Sequence, residues 1–327
     1  MAKARNVALP GGEDELQVWL RQLFSVRFGE VLSFREAALD PDRTDGIHSM
    51  RVAIRRLRSL LGDLKLIGAG PRSASLTREL KLLADKLGAV RDADVGVNSL
   101  LKFRAKADDP EVAKGIDAFI ERLRSSRQEA FLALEPHLTT ERMEHLQSFA
   151  DRFLRKMSTP RSAADDLILE AAESVIRTRI DEFCSLAPAL YSPFRVRRLH
   201  KLRIAGKHLR YAVEIFTDQT DEAWSGRASE IAKMQGHLGE LHDCDGWIST
   251  LRKNLKDYVK SAGEATPEIL AAEWLLGEFV RRRAKYYREA LNLWAEWRDN
   301  KFLEALLKRD DLQPEQEALH KTTIDRE

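Results

Sequence analysis

Apolar residues recur along this chain at intervals of three and four positions, and the alternating pattern of a β-strand is hard to find. This periodicity predicts an all-α protein. Breaks that contain proline or glycine, such as the segments 68–71 and 266–267, separate the predicted helices. The helices are expected at about 13–39, 46–67, 73–105, 110–135, 141–157, 163–187, 195–217, 221–260 and 267–308.

Two short motifs occur twice, in the same order. The first, H-x-x-R-x-x-x-[RK]-x-x-R, begins at His48 and again at His200. The second, L-G-x-x-[RH]-D-x-D, begins at Leu87 and again at Leu238, so the two motifs are almost equally spaced in both copies. Such an ordered pair of repeats indicates two copies of one helical unit.

A weaker third repeat pairs Phe119–Leu134 with Phe279–Trp294. Together the repeats predict two pseudo-symmetric halves, each a four-helix bundle, with a basic groove or pore between them. The expected boundaries are a single domain over 13–308, halves of about 13–160 and 161–308, and flexible termini at 1–12 and 309–327.

The first motif places cations on one face of each helix. At about 100° per residue its charged positions fall within an arc of about 80°, and apolar residues occupy the opposite face. We call the two sets the basic stripes. The first basic stripe is His48, Arg51, Arg55 and Arg58, and the second is His200, Arg203, Lys207 and Arg210.

Acidic residues are missing beside the basic stripes, although the chain holds 54 Lys+Arg against 52 Asp+Glu. No Asp or Glu occurs between Ile47 and Leu61 or between Phe183 and Val213. An ordinary solvated helix face mixes both signs, and like charges this close destabilise a helix unless an anion joins them. The stripes therefore predict a polyanion-binding surface.

The types of cation favour phosphate as the ligand. Arginine supplies 36 of the 54 cations, and its planar guanidinium suits bidentate contacts to phosphate. A histidine heads each stripe, and a bound polyanion would favour its charged form while the neighbouring arginines would oppose it. The sequence therefore predicts an anion affinity that depends on pH.

The two repeated motifs resemble those of the CHAD domain, the conserved histidine α-helical domain, and the resemblance covers about 13–308. It implies two four-helix bundles around a basic pore, inorganic polyphosphate as the ligand, and location on polyphosphate granules. The implied pore-lining residues are the eight residues of the basic stripes. Lys81 and Lys233, and more weakly Arg127 and Arg288, are further candidates for polyphosphate binding.

A metal-dependent phosphohydrolase is the alternative from a different functional class, because His242-Asp243 resembles a metal-binding dipeptide. The repeat places Arg91 where His242 stands, and a cationic surrounding repels a divalent metal. We therefore expect Asp92 and Asp243 to form helix-terminal or arginine-orienting hydrogen bonds. P-loop, G-x-S-x-G and H-E-x-x-H signatures are absent, so a non-catalytic protein without a metal or cofactor is expected.

Nucleic acid bound through its phosphates is a second binding mode, and a scaffold for granule proteins is a third interpretation. Aromatic residues make up only 7% and avoid the basic stripes except at Tyr211, which disfavours single-stranded nucleic acid. Only two cysteines, no long apolar run and no secretory signal favour the cytoplasm and no membrane segment. The E-x-E-x-K motif of the CYTH domain that often accompanies CHAD domains is absent, so a stand-alone CHAD protein is expected.

Overall fold

The computed structural model describes residue 7 and residues 15–41, 43–71, 74–157, 167–216, 222–261 and 266–307. Every regular element in these ranges is helical, as the periodicity predicts. None of the described helices has both the length and the apolar composition that crossing a membrane requires. The α-helices are α1 (Glu15–Ser33), α2 (Arg35–Leu39), α3 (Thr44–Leu66), α4 (Ala74–Arg104), α5 (Pro110–Leu132), α6 (Thr140–Arg155), α7 (Leu167–Leu186), α8 (Val196–Phe216), α9 (Glu222–Ser261), α10 (Pro267–Asp299) and α11 (Phe302–Ala305), with short 3-10 helices at Glu135–His137 and Ala187–Tyr191.

Most predicted helix boundaries agree with the structure to within a few residues, but two long helices are interrupted. The helix expected over 13–39 breaks at Phe34, whose ψ of 2° separates α1 from α2. The helix expected over 267–308 ends at Asp299 because Lys301 adopts the left-handed conformation, with φ 50°. That conformation is costly for a residue with a Cβ. The periodic pattern reports which residues are buried and not their backbone angles, so it did not predict this helix end. The predicted flexible termini, 1–12 and 309–327, lie outside the described residues except for Val7.

The hydrophobic core consists of two clusters, and each draws on both sequence halves. The larger cluster packs Phe24 and Ile54 from the first half against Phe183 and Leu209 from the second. The smaller cluster is formed by the last part of α4, by α5, by the later part of α9 and by the first part of α10. Because α4, α9 and α10 run through both clusters, the described core is not divided at residue 160, and the two separate bundles stay a prediction.

Helices α5 and α10 pack closely across the two halves. A Cβ atom added to Gly115 would lie 2.0 Å from the carbonyl oxygen of Pro267 and 2.6 Å from Cβ of Ala271. Only glycine therefore allows the two backbones to approach this closely. This contact fixes one side of the molecule, and the packing of α3 on α8 fixes another.

A buried ion pair also joins the halves. Arg179 on α7 donates from Nη2 and Nε to Asp63 Oδ1 on α3, at 2.6 and 3.0 Å, and the Asp63 side chain is fully buried. Burial raises the pKa of Asp63 to about 6, although the positive charge of Arg179 opposes the shift. The pair is thus a structural contact between helices from opposite halves of the sequence.

Candidate functional site

The two basic stripes lie on α3 and α8, which pack against each other. Helix α3 also packs on α4, and α8 packs on α9, so each stripe lies beside the second motif of its own repeat. A Cβ atom on Gly88 would lie 3.6 Å from Nη2 of Arg51, and one on Gly239 would lie 3.9 Å from Nε of Arg203. In each repeat the arginine of the basic helix therefore lies over the glycine of the L-G dipeptide, at a distance that corresponds to ordinary van der Waals contact.

Four cations from the two repeats form what we call the basic cluster: Arg51, Arg55, Arg203 and Lys207. Burial lowers the pKa of Lys207 to about 7, and the charges of Arg203, Arg55 and Arg51 add to the effect. Burial also lowers the pKa of Arg203; Asp243 opposes this shift, and Arg55 and Arg51 strengthen it. The cations of α3 and α8 thus lie within electrostatic reach of each other.

The charges of the basic cluster are only partly compensated within the protein. The Nε atoms of Arg55 and Arg203 are buried and have no acceptor among the described residues. A buried guanidinium donor without an acceptor is costly, because it has lost water and gained nothing in return. An anion that enters between α3 and α8 could accept from both groups.

His48, His200 and His242 surround the basic cluster, and the pKa of each is lowered. For His48 the causes are burial first and then the charges of Arg91, Arg55 and Arg51. For His200 they are burial and then the charges of Arg203 and Lys207. Each imidazole is therefore neutral at pH 7 when no anion is bound.

His200 and His242 form a pair across α8 and α9. Their Nδ1 atoms lie 3.3 Å apart and their ring centroids 4.4 Å apart. Burial, Arg203, His200 and Lys207 together lower the pKa of His242 to about 4. One imidazole can donate to the other only while at least one of them is neutral, which agrees with the lowered pKa values.

The first aspartate of each D-x-D segment lies beside the basic cluster. Asp92 accepts a hydrogen bond from Arg51 Nη1 at 3.1 Å, as expected for an arginine-orienting carboxylate, while 73% of its side chain stays exposed. Asp243 is also exposed. Partial desolvation nevertheless raises the pKa of its carboxyl group, although the positive charge of Arg203 opposes the shift. The helix-terminal alternative is wrong, because both residues lie well inside α4 and α9.

The second aspartate of each D-x-D segment holds an arginine from a third helix. Arg127 donates from Nε to Asp94 Oδ1 at 2.6 Å and from Nη2 to the carbonyl oxygen of Pro41 at 2.8 Å. Arg283 donates to Asp245 Oδ1 and to the carbonyl oxygen of Pro193, both at 2.6 Å. We call each of these arrangements a latch, because it ties a loop before a basic helix to the helices behind it.

The latches change the interpretation of Arg127 and Arg288. Arg127 already forms an ion pair with Asp94, whose side chain is only 4% exposed. Its structural counterpart is Arg283, whereas Arg288 lies exposed on α10. The alignment of Phe119–Leu134 with Phe279–Trp294 missed Arg283 because it placed the second copy of the third repeat four residues too far along the chain. Aligning the arginines that could pair with Asp94 and Asp245 would have identified Arg283.

Two further predicted ligands have carboxylate partners on their own helix. Arg210 donates from Nε to Glu214 Oε1 at 2.6 Å within α8. Lys233 is exposed on α9 and pairs with Glu230. Both side chains would have to leave these partners to join an anion at the basic cluster.

Arg58 and Lys81 extend the first basic stripe away from the basic cluster. Arg58 is half-buried on α3, and its charge contributes to lowering the pKa of His208. Lys81 is exposed on α4, two helical turns before Gly88 and on the same face.

A cavity of about 450 Å³ lies between α4, α9 and α10. Its lining includes Arg91, Asp243 and Arg282, so it is adjacent to the basic cluster. Arg91 and His242 occupy the same position of the second motif and were not predicted as polyphosphate ligands, although their repetition as [RH] was a signal. Within the described ranges, no three His, Cys, Asp or Glu side chains are grouped so that they could hold a metal ion.

Two solved structures share this fold. The crystal structure of the CHAD domain from the plant Ricinus communis aligns with a TM-score of 0.68 and 20% identity, over 89% of this chain and 96% of that one. PptA from Streptomyces chartreusis aligns with a TM-score of 0.64 and 15% identity, over 86% of this chain and 98% of that one.

Two curated sequences are also similar, and both are uncharacterised proteins of Mycobacterium tuberculosis. Rv2226 of strain H37Rv and MT2285 of strain CDC 1551 are each 27% identical over 188 residues. The match takes in 56% of this chain but only 36% of either relative, so the chain spans little more than a third of their length. The family model of the CHAD domain matches residues 22–252, which include both copies of both motifs. Because that match covers well over half of the sequence, the chain belongs to the CHAD domain family.

Proposed function

We propose that this protein binds linear inorganic polyphosphate at the basic cluster, without cleaving it. The observation that carries the proposal is the burial of like charges from two repeats, with the Nε atoms of Arg55 and Arg203 lacking acceptors in the described part of the chain. Membership of a family associated with polyphosphate binding supports the choice of ligand.

The composition of the cluster favours an anion made of phosphates alone. Its cations are mainly guanidiniums, which bind phosphate oxygens in a bidentate manner. Aromatic residues avoid the basic stripes except at Tyr211, in contrast to proteins that bind single-stranded nucleic acid. A repeating phosphate chain would place one anionic oxygen after another along the α3 and α8 stripes.

The two repeats would form the walls of a groove or pore through which the polyphosphate passes. The duplicated latches, and the duplicated glycines beneath Arg51 and Arg203, support a pseudo-symmetric arrangement of the two halves. In this arrangement each wall supplies one arginine that lies over a glycine and one further cation, Arg55 or Lys207.

The cellular setting that we propose is the cytoplasm, at polyphosphate granules, together with granule proteins bound to the same polymer. It follows from the proposed ligand, because a protein that holds long polyphosphate accumulates where the polymer is stored. Co-localisation of the tagged protein with stained granules, and its loss from granules in the Arg51→Ala/Arg203→Ala variant, is the expected result.

Binding of labelled long-chain polyphosphate at several salt concentrations tests the function. If four cations each neutralise a phosphate, log affinity should fall with log salt at a slope of about −3, since single-stranded polyanions give about −0.7 per phosphate. A fourfold rise in salt should then weaken binding on the order of 50-fold. The Arg51→Ala/Arg203→Ala variant should lose most of this affinity and salt dependence.

A matched control is Arg124→Ala/Arg177→Ala, which removes two exposed arginines paired only on the surface of α5 and α7. It should bind like the wild type. Equal loss in both double variants would reject the basic cluster as the site. Metal-dependent release of free phosphate that disappears in Asp243→Asn would instead support a phosphohydrolase, and displacement by equimolar duplex DNA would support a nucleic-acid binder.

A further inference from the structure

A second candidate binding surface lies on the opposite side of α9 from Asp243, and it is chemically different from the basic cluster. It is a half-open groove of about 950 Å³ between α9, α10 and the segment that precedes α8. Its apolar lining includes Phe194, of which 90% is exposed, and Val280, of which 46% is exposed. Exposed apolar side chains that meet in one groove mark a site of interaction more often than isolated ones do.

One rim of the groove is cationic. Arg252, Lys253 and Lys256 lie exposed on the last turns of α9, and none pairs with a carboxylate of the described ranges. The acidic residue in the lining, Asp245, is already engaged by Arg283 in the second latch. The groove therefore offers an apolar floor with positive charge along one side, which suits an acidic segment that carries apolar side chains.

The first repeat shows that the fold does not require this groove. Its latch is the same, but aligning the two latches places Asp42 at the position of Phe194, Arg124 at that of Val280 and Gln128 at that of Ala284. The corresponding surface of the first repeat is thus polar in sequence where the second is apolar. The apolar groove is a property of the second repeat rather than of latch formation.

We propose that this groove binds the chain's own acidic segment, residues 310–319. The segment reads DDLQPEQEAL and holds four carboxylates, two leucines and no Lys or Arg. Its charge is opposite to that of the rim formed by Arg252, Lys253 and Lys256, and its leucines match the apolar floor. The inference does not depend on polyphosphate binding, because none of the basic-cluster residues lines the groove.

The groove lies within reach of the segment. The described chain ends at Leu307, shortly after α10 ends at Asp299. From Asp299 back to Tyr287 and to Val280, at the two ends of the groove on α10, the rise along the helix is about 18 Å and about 28 Å, whereas ten extended residues span about 33 Å. A tether of this length gives an effective concentration in the millimolar range, so weak contacts suffice for binding.

Carbodiimide cross-linking of the full chain, followed by mass spectrometry, tests the proposal. The reagent joins a lysine amine to a carboxylate only when the two are in contact. We expect isopeptide bonds between Lys253 or Lys256 and the carboxylates of 310–317. The Phe194→Ser variant should reduce the yield of these cross-links by about fivefold, because a loss of roughly 1 kcal/mol of apolar contact weakens binding by that factor. Because Phe194 is almost fully exposed, the variant should keep its circular dichroism spectrum.

Lys114→Glu on α5 is the matched control, since Lys114 is an exposed lysine distant from the groove in sequence. It should leave the cross-links unchanged. A mixture of 14N- and 15N-labelled protein separates the outcomes. Bonds within one isotope support the proposal; bonds between isotopes assign the groove to a second copy and overturn it. Cross-links whose yield is the same in Phe194→Ser as in the wild type also overturn it.

Discussion

At the scale of single residues, the buried cations of the basic cluster lower the stability of the anion-free fold and raise its affinity for anions. Lys207 loses water on folding and gains three guanidinium neighbours, and its pKa falls to about 7 for both reasons. Burial lowers the pKa of Arg203 as well, while its Nε lacks an acceptor in the described structure. Such groups destabilise the anion-free fold, because the charged form is favoured in the unfolded chain.

The Lys207→Met variant should be more stable than the wild type and should bind polyphosphate less tightly. Between pH 7 and the ordinary lysine pKa of 10.5, the unfolded chain binds more protons than the folded chain, so raising the pH stabilises the wild type. The variant lacks this penalty, and its free energy of unfolding should be higher on the order of 1 kcal/mol near pH 7. The advantage should shrink towards pH 10.5. Urea titrations at several pH values measure both effects, and a less stable variant at pH 7 contradicts the assignment.

Polyphosphate affinity should fall as the pH rises through 7. A bound polyanion raises the pKa of Lys207, so the complex takes up a proton that the free protein has partly released. Because the pKa values of His48 and His200 are lowered, protonation of these imidazoles adds a further gain in affinity only at a pH below the ordinary range of histidine. Long polymers keep their internal phosphates ionised throughout, so the change belongs to the protein. Calorimetry at about pH 6 and about pH 9 should show the difference, and Lys207→Arg should remove the part above pH 7 because guanidinium stays charged.

At the scale of helices, each motif connects three elements rather than lining a site by itself. Residues i and i+2 of an α-helix point about 200° apart, so the aspartates of D-x-D cannot serve the same neighbour. Asp92 accordingly meets Arg51 on α3, while Asp94 meets Arg127 on α5. The repeated motif thus sets the position of a basic helix and of the helix behind it at the same time.

Arg127→Ala should destabilise the fold and leave polyphosphate affinity almost unchanged. The substitution leaves the buried carboxylate of Asp94 unpaired, which costs about 3–5 kcal/mol when a buried pair is broken from one side. The Asp94→Leu/Arg127→Met variant removes both charges and should be considerably more stable than Arg127→Ala. Thermal unfolding combined with polyphosphate binding at a temperature where all variants are folded measures this. A steep loss of affinity without loss of stability would make Arg127 a ligand instead.

At the scale of the whole molecule, the sequence predicted the helical class and most helix boundaries because apolar periodicity reports directly on the buried face of each helix. The contact between Arg51 and the second motif could also be anticipated, since both belong to the same repeat. The two interruptions, at Phe34 and Lys301, could not, because they depend on backbone conformations that periodicity does not encode.

The sequence was least informative about how its two halves combine. Repeats favour a model with two independent bundles, but the core clusters and the Asp63–Arg179 pair connect residues from both halves. Gly115 would have indicated the close contact between α5 and α10 only if Pro267 were already known to lie against it. Contacts between distant segments depend on which helix faces remain uncovered after neighbouring helices have packed. A single sequence does not identify those faces.

The two sequence halves should therefore fail to fold separately. A chain of residues 1–160 would expose the face of α3 that packs on α8 and the face of α5 that packs on α10, together with the unpaired carboxylate of Asp63. Each isolated half should show reduced helicity and no cooperative thermal transition, whereas mixing the two should restore both. In the intact chain, tryptophan fluorescence and circular dichroism should report one coincident urea transition. Two separate transitions, or a half that unfolds cooperatively by itself, would contradict a shared core and support two independent bundles.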